Sequence, residues 1–168
     1  AKSNQAEALA CLREVLGQRG VELRQIGRHD RLEADDAQVE INVLHPPKQG
    51  VGGRDNANSL VLAIDYGGRR LLLPGDLESP GLERVTALPA TNVDVLLAPH
   101  HGSAGSDPPG FAAWCRPDWV VVSGGDQRRT KIATDSYQAA GAQVLHTSVH
   151  GATQVVITPR QIETTTFR

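Results

Sequence analysis

Two adjacent histidines, His100 and His101, follow an apolar run and precede a turn of small residues. The run Val93–Leu97 predicts a buried strand, so both imidazoles fall where that strand ends. Upstream, Asp76 occupies the same kind of position after the apolar run Leu71–Leu73. Because α/β folds place metal ligands and catalytic groups at strand ends, these three side chains are candidates for one site. Imidazole and carboxylate together suit Zn²⁺ or Mn²⁺.

Each of these candidates also has a purely structural interpretation. The two histidines are compatible with a solvated loop, and Asp76 is compatible with a carboxylate that stabilises a helix N-terminus. We favour a functional role because the histidine pair and the carboxylate occur together at predicted strand ends. A neutral imidazole binds a divalent metal, and a second imidazole beside it reaches bound water or phosphate. A carboxylate is also able to bridge two metals about 3.5–4 Å apart, as hydrolytic two-metal sites require.

Other polar residues are weaker candidates. Asn58 opens a predicted strand after a glycine-rich loop and Ser103 follows the histidine pair, so we predict that both contact substrate. Local capping explains Asn58 equally well. The small basic run Arg128–Lys131 is typical of a solvated face, although such a run also meets phosphates. His45 is a minor candidate ligand. A structural role is preferred for the remaining histidines, which are His29, His146 and His150.

The bulk properties predict one soluble domain. A chain of 168 residues is long enough to bury a core, and its net charge of −2 supplies no general basic field for nucleic acid. No apolar run approaches the roughly 20 residues of a membrane span. Two cysteines, Cys11 and Cys115, are too few for a disulfide framework, so we expect each to be a small apolar filler.

Hydrophobic periodicity predicts four helices and eight strands. The helices are Asn4–Gly17, Glu78–Leu88, Pro109–Cys115 and Asp135–Ala140. The strands are Val21–Ile26, Val39–Val43, Ser59–Asp65, Arg69–Leu73, Val93–Leu97, Trp119–Val122, Thr153–Thr158 and Ile162–Phe167. Because hairpins alternate with strand–helix–strand units, we expect an α/β fold with a mixed β-sheet flanked by helices.

Four segments, in order and spacing, resemble the metallo-β-lactamase-like domain of the ComEC competence proteins. They are Asn58–Leu62, Tyr66–Gly68, Leu72–Asp76 and Asp94–Ser103. The last two contain the G-D pair and the P-H-H-G-S signature, whose combination is fairly specific. The resemblance covers about residues 21–157 and corresponds to the late part of that domain.

The resemblance implies part of an αββα sandwich with a two-metal hydrolase site. Asp76 would be the bridging carboxylate, His100 a metal ligand, and His101 a catalytic residue beside the metals. The implied cofactor is a divalent metal, Zn or Mn, and the implied reaction is phosphodiester hydrolysis of DNA held by its phosphate backbone. The resemblance further implies an extracytoplasmic domain of a bacterial membrane protein that imports DNA, with membrane contact through other segments.

One departure from the family pattern limits this interpretation. The family's H-x-H-x-D-H metal motif does not occur in the sequence. Asp76 and His100 alone are too few for a catalytic zinc, which takes three protein ligands plus water. We therefore interpret residues 1–168 as a single domain that forms the C-terminal portion of such a fold, inactive by itself and weak in metal binding. The alternatives are a non-catalytic scaffold of a DNA-uptake channel and a soluble phosphodiesterase or lactonase of the same superfamily.

Overall fold

A seven-stranded mixed sheet forms the framework of the chain in a computed structural model, which describes the backbone of residues 2–168 and the side chains of residues 7–168. The strands lie in chain order: β1 (Arg31–Leu32), β2 (Val39–His45), β3 (Val61–Tyr66), β4 (Arg69–Leu73), β5 (Val93–Leu97), β6 (Pro117–Val122) and β7 (Gln143–His146). From β1 to β4 neighbours are antiparallel, whereas from β4 to β7 they are parallel. The predicted α/β class with a mixed, helix-flanked sheet is confirmed.

Helices connect the parallel strands. In chain order the helices are α1 (Lys2–Gln18), α2 (Gly81–Thr86), α3 (Pro108–Cys115), α4 (Gln127–Ala139) and α5 (Thr147–His150). Parallel neighbours require crossover connections, and right-handed crossovers place α2, α3 and α4 on the same face of the sheet. After α5, β8 (Ala152–Ile157) and β9 (Ile162–Phe167) form a separate antiparallel hairpin. In the described part of the chain, no helix is long and apolar enough to span a membrane.

The main core lies between the sheet and α2, α3 and α4. A row of side chains in register crosses β3 to β6 and faces these helices; its members are Ala63, Leu72, Leu96 and Val120. None of the four is more than 3% exposed. Because β5 lies inside the sheet and is covered by helices, four of its five residues are apolar, and the exception, Asp94, pairs with Arg69. Burial of this row fixes the ends of β4 and β5 relative to each other.

The opposite face of the sheet is also apolar but is less well covered. A second row in register consists of Ile41, Ile64, Leu71, Val95 and Trp119. Of these, Val95 is 3% exposed, while the other four are only partly buried. Sheet faces of this composition are usually packed against a second layer of structure.

The predicted strand Val21–Ile26 is wrong. These residues form no regular secondary structure, and Val21 and Leu23 are 50% and 52% exposed. An alternating pattern becomes a strand only when a neighbour pairs with it, and β1 occupies the outer edge of β2.

Several boundaries also differ from the predictions. Helix α2 is shorter because it begins only after Pro80, and α4 is two turns longer because the Asp126 side chain accepts a hydrogen bond from the backbone of Arg128 and caps it. β1, β7 and α5 were not predicted. Cys115 is buried as expected, but Cys11 is exposed on α1, so its predicted role as an apolar filler is wrong.

Candidate functional site

The histidine pair lies in a tight turn at the carboxyl end of β5. His100 (φ 45°, ψ 48°) and His101 (φ 56°, ψ 24°) both adopt the left-handed conformation, which costs an L-residue about 1–2 kcal/mol. Two backbone hydrogen bonds hold the turn: His100 N–H donates to Gly75 O at 3.0 Å, and Ser103 N–H donates to His100 O at 2.9 Å. The surrounding structure therefore maintains a strained backbone at both histidines.

Asp76 reaches the same place from the neighbouring strand. It follows β4 through Gly75, whose positive φ of 59° reverses the chain. Because β4 and β5 are parallel neighbours, their carboxyl ends meet at one edge of the sheet. Asp76 Oδ1 lies 3.6 Å from His101 Nε2, and the two side chains are 47% and 62% exposed. The structure thus brings the predicted carboxylate and one predicted imidazole into direct contact.

The hydrogen bonds of His101 determine which of its nitrogens carries a proton. His101 Nδ1 lies 2.9 Å from the backbone oxygen of Ser123 and 3.1 Å from its hydroxyl. A carbonyl oxygen only accepts, so Nδ1 of the neutral ring must be the N–H. Nε2 then presents a lone pair towards the carboxylate of Asp76. Two acceptors then face each other across 3.6 Å, and a cation between them would be attracted by both.

His100 is oriented by a different partner. Its Nδ1 lies 2.8 Å from Glu78 Oε1, and the second oxygen of Glu78 accepts from Asn56 Nδ2 at 3.2 Å. The two imidazole centroids are 6.3 Å apart. Among the described residues, His100 forms no ion pair with Asp76, so the direct contact of that carboxylate is with His101.

An open groove of about 760 Å³ runs beside the histidine pair. Its lining includes both imidazoles, Ser103, Gly124 and Arg129. Ser103 is also used locally, because its hydroxyl accepts from Gly105 N–H at 3.2 Å. The charged or titratable side chains that border the groove are therefore the two imidazoles, the Arg129 guanidinium and the Asp126 carboxylate that pairs with it.

Asn58 does not line this groove. Its amide oxygen accepts from Val51 N–H at 2.6 Å, and its amide nitrogen donates to Val51 O at 2.8 Å. Both ends of the Asn58 amide are thus engaged with the backbone of Val51.

His45 and His146 are buried and form hydrogen bonds within the fold. His45 is 1% exposed and its Nε2 lies 2.8 Å from Ala57 O, while burial lowers its pKa. His146 is 4% exposed and its Nε2 lies 2.7 Å from the Thr130 hydroxyl; burial lowers its pKa as well. Both rings are hydrogen-bonded polar groups inside the fold.

Sequence reasoning did not identify Glu78, Asn56 or Ser123, the residues that orient the two imidazoles. The one available signal was the carboxylate of Glu78 two positions after Asp76, since ligating histidines commonly donate their second nitrogen to a carboxylate. Within the described side chains, no three His, Cys, Asp or Glu residues converge closely enough to hold a metal ion.

The chain is similar in sequence to curated bacterial proteins, one of which is named as a competence protein. The chain is 34% identical over 111 residues to ComE operon protein 3 of Bacillus subtilis and 35% identical over 106 residues to competence protein ComA of Neisseria gonorrhoeae. It is 35% identical over 79 residues to recombination protein 2 of Haemophilus influenzae. These matches cover 66%, 60% and 47% of this chain, but only 14%, 15% and 10% of the relatives. No protein-family model matches the chain.

A solved structure has a similar fold. It is the crystal structure of a protein of Parabacteroides distasonis described as a proposed metal-dependent hydrolase. The TM-score is 0.52 at 16% sequence identity, over 79% of this chain and 60% of the other. A likeness at this identity supports the fold alone.

Proposed function

We propose that the chain forms the C-terminal portion of a metallo-β-lactamase-like domain in a ComEC-type DNA-uptake protein, and that this domain hydrolyses phosphodiester bonds. The observation that carries the proposal is the 3.6 Å contact between Asp76 and His101 at the ends of adjacent parallel strands. Similarity to these three bacterial proteins, one of which is named as a competence protein, supports the biological setting.

The contact between Asp76 and His101 fits two neighbouring ligands of one metal ion. With bonds of about 2.0–2.2 Å and tetrahedral geometry, a nitrogen and an oxygen ligand of zinc lie about 3.4 Å apart. The observed 3.6 Å is close to that value, and both facing atoms are acceptors. Since no third ligand converges among the described side chains, these residues fit part of a site that other residues of a longer protein complete.

Three side chains have distinct tasks in the proposed site. Asp76 and His101 would hold one ion, and His100 would present its Nε2 to the groove beside them. The chemistry that a divalent metal would supply there is activation of water and stabilisation of the charge that develops on a phosphodiester. The left-handed turn supports this assignment, because backbone strain of this kind concentrates at functional sites.

The proposed substrate is DNA held through its phosphates. Arg129 lies on the groove edge with its guanidinium 3.7 Å from Asp126 and 88% of its side chain exposed, so it is available to an incoming phosphate.

The partly covered apolar row on the second face of the sheet supports the proposal that another layer of structure packs on this face in the longer protein. Its members, Ile41, Ile64, Leu71 and Trp119, are suited to packing against the other half of an αββα sandwich. In the proposed parent protein this domain is extracytoplasmic, and other segments contact the membrane.

The test is hydrolysis of single-stranded DNA by the complete proposed domain in Mn²⁺ or Zn²⁺. Asp76→Asn is isosteric, and we expect it to reduce turnover at least 100-fold because it removes a ligand charge. Asp135→Asn is the matched control, since Asp135 is an exposed residue that pairs with Lys131 on α4. Undiminished turnover in Asp76→Asn would overturn the proposal.

A second function, a non-catalytic binding module of the same uptake apparatus, is favoured by one observation. The described side chains do not bring three potential metal ligands together. This function predicts no DNA hydrolysis by the complete domain with any divalent metal, together with DNA binding that Asp76→Asn leaves unchanged.

A further inference from the structure

Glu78 lies between Asn56 and His100 and touches both. Its Oε1 is 2.8 Å from His100 Nδ1, and its Oε2 is 3.2 Å from Asn56 Nδ2. The backbone is tied to the same neighbour, since Glu78 N–H donates to Asn56 O at 3.3 Å. The carboxylate is therefore held by a main-chain bond and a side-chain bond on one side and by an imidazole on the other.

The loop after the histidine pair closes over this carboxylate. At Gly105 a Cβ atom would lie 2.8 Å from Glu78 Oε1, so any larger residue there would displace the carboxylate. Ser106 is buried, and its hydroxyl donates to the backbone oxygen of Leu77 at 2.8 Å. Glu78 consequently remains only 25% exposed, although its partner His100 lines an open groove.

The hydrogen bond between Glu78 and His100 determines which ring nitrogen of His100 carries the proton. A carboxylate only accepts hydrogen bonds, so Nδ1 of a neutral His100 must carry the proton. Nε2 is then a lone pair, and no described residue donates a hydrogen bond to it while the ring lines the groove. We propose that Glu78 is a positioning residue that locks His100 in the Nδ1–H tautomer and makes Nε2 an acceptor for a ligand in the groove.

This assignment deepens the proposed function, on which the identity of the ligand rests, but the tautomer itself does not depend on catalysis. A metal ion requires an imidazole lone pair, and a carboxylate at the other nitrogen fixes the ring and makes it more basic. His101 achieves the same state through the backbone oxygen of Ser123, which no side-chain substitution removes. His101 is therefore an internal reference for His100.

The test is ¹⁵N NMR of the histidine rings in the full chain, recorded above about pH 8 where imidazoles are neutral. In the wild type we expect His100 and His101 both to be Nδ1–H. In Glu78→Ala we expect His100 to lose its preference for Nδ1–H while His101 keeps its own. In Glu78→Gln the amide oxygen still accepts, so we expect the wild-type tautomer to be retained.

Glu83→Gln is the matched control, because Glu83 is an exposed neighbour that accepts from the Ser79 hydroxyl. It should leave both rings unchanged. An Nε2–H His100 in the wild type, or an Nδ1–H His100 in Glu78→Ala, would overturn the proposal. The wild-type spectrum decides the matter even if Glu78→Ala does not fold. Absence of DNA hydrolysis would overturn the proposed function and leave this inference standing.

Discussion

Replacing Asp76 by asparagine is expected to weaken the binding of a divalent metal to this chain on the order of 100-fold, by the loss of one ligand. Asparagine has the same shape, so the turn that carries it should persist, but its neutral amide is a poor partner for a metal ion. His101 would then be the sole remaining ligand of the pair that now lies 3.6 Å apart.

The number of ligands sets the expected affinity. Structural zinc sites with four protein ligands bind with about 10–16 kcal/mol, or about 2.5–4 kcal/mol for each ligand. A pair of ligands therefore provides about 5–8 kcal/mol, which corresponds to a dissociation constant of about 1–200 µM. With His101 alone the same arithmetic gives about 1–15 mM.

Isothermal titration calorimetry with Zn²⁺ and Mn²⁺ measures both constants. All variants should carry Cys11→Ser, since the exposed thiol of Cys11 is itself a zinc ligand. His29→Asn is the matched control, because His29 is exposed and asparagine tolerates its positive φ of 77°. Nanomolar affinity would mean that the chain holds a complete site. Equal affinity in wild type and Asp76→Asn would refute the shared-ion geometry.

Three further predictions concern stability. Tyr137→Phe should raise the melting temperature by about 2–4 °C, because the buried hydroxyl has no hydrogen-bond partner among the described residues; a lower melting temperature would reveal a partner. Burial lowers the pKa of His45 and His146 below 6.5, so the unfolded chain binds protons more readily. The free energy of unfolding, measured in urea, should therefore decrease as the pH falls through about 6.5 and below, and a flat profile would contradict this. Gly81→Ala should destabilise the fold by at least about 3 kcal/mol in the same assay, because the new methyl overlaps the carbonyl oxygen of Ala57; near-native stability would contradict that placement.

The convergence of the site was predictable because it depends on strand order. The apolar runs before Asp76 and His100 form β4 and β5, and parallel neighbours bring their carboxyl ends together. The orientation of the imidazoles was not predictable, since it depends on Ser123 and Glu78. Ser123 follows β6, and it lies beside His101 because β6 pairs with β5.

The errors in the predicted fold also arise because contacts distant in sequence decide the outcome. The alternation at Val21–Ile26 has the correct period but lacks a strand to pair with, and only the tertiary structure shows that β1 takes the available edge. β7 was missed because Gln143–His146 is short and only one of its residues is buried. Local pattern therefore predicts central, covered strands such as β5 better than strands near a sheet edge.

A crystal structure of the chain soaked in Zn²⁺ tests most directly whether Asp76 and His101 share an ion. We predict an anomalous-scattering peak about 2.0–2.2 Å from both His101 Nε2 and Asp76 Oδ1, with the two atoms still about as far apart as they are here. Zinc bound elsewhere with neither atom as a ligand, or a hydrogen bond that joins the two residues directly in the presence of excess zinc, would contradict it.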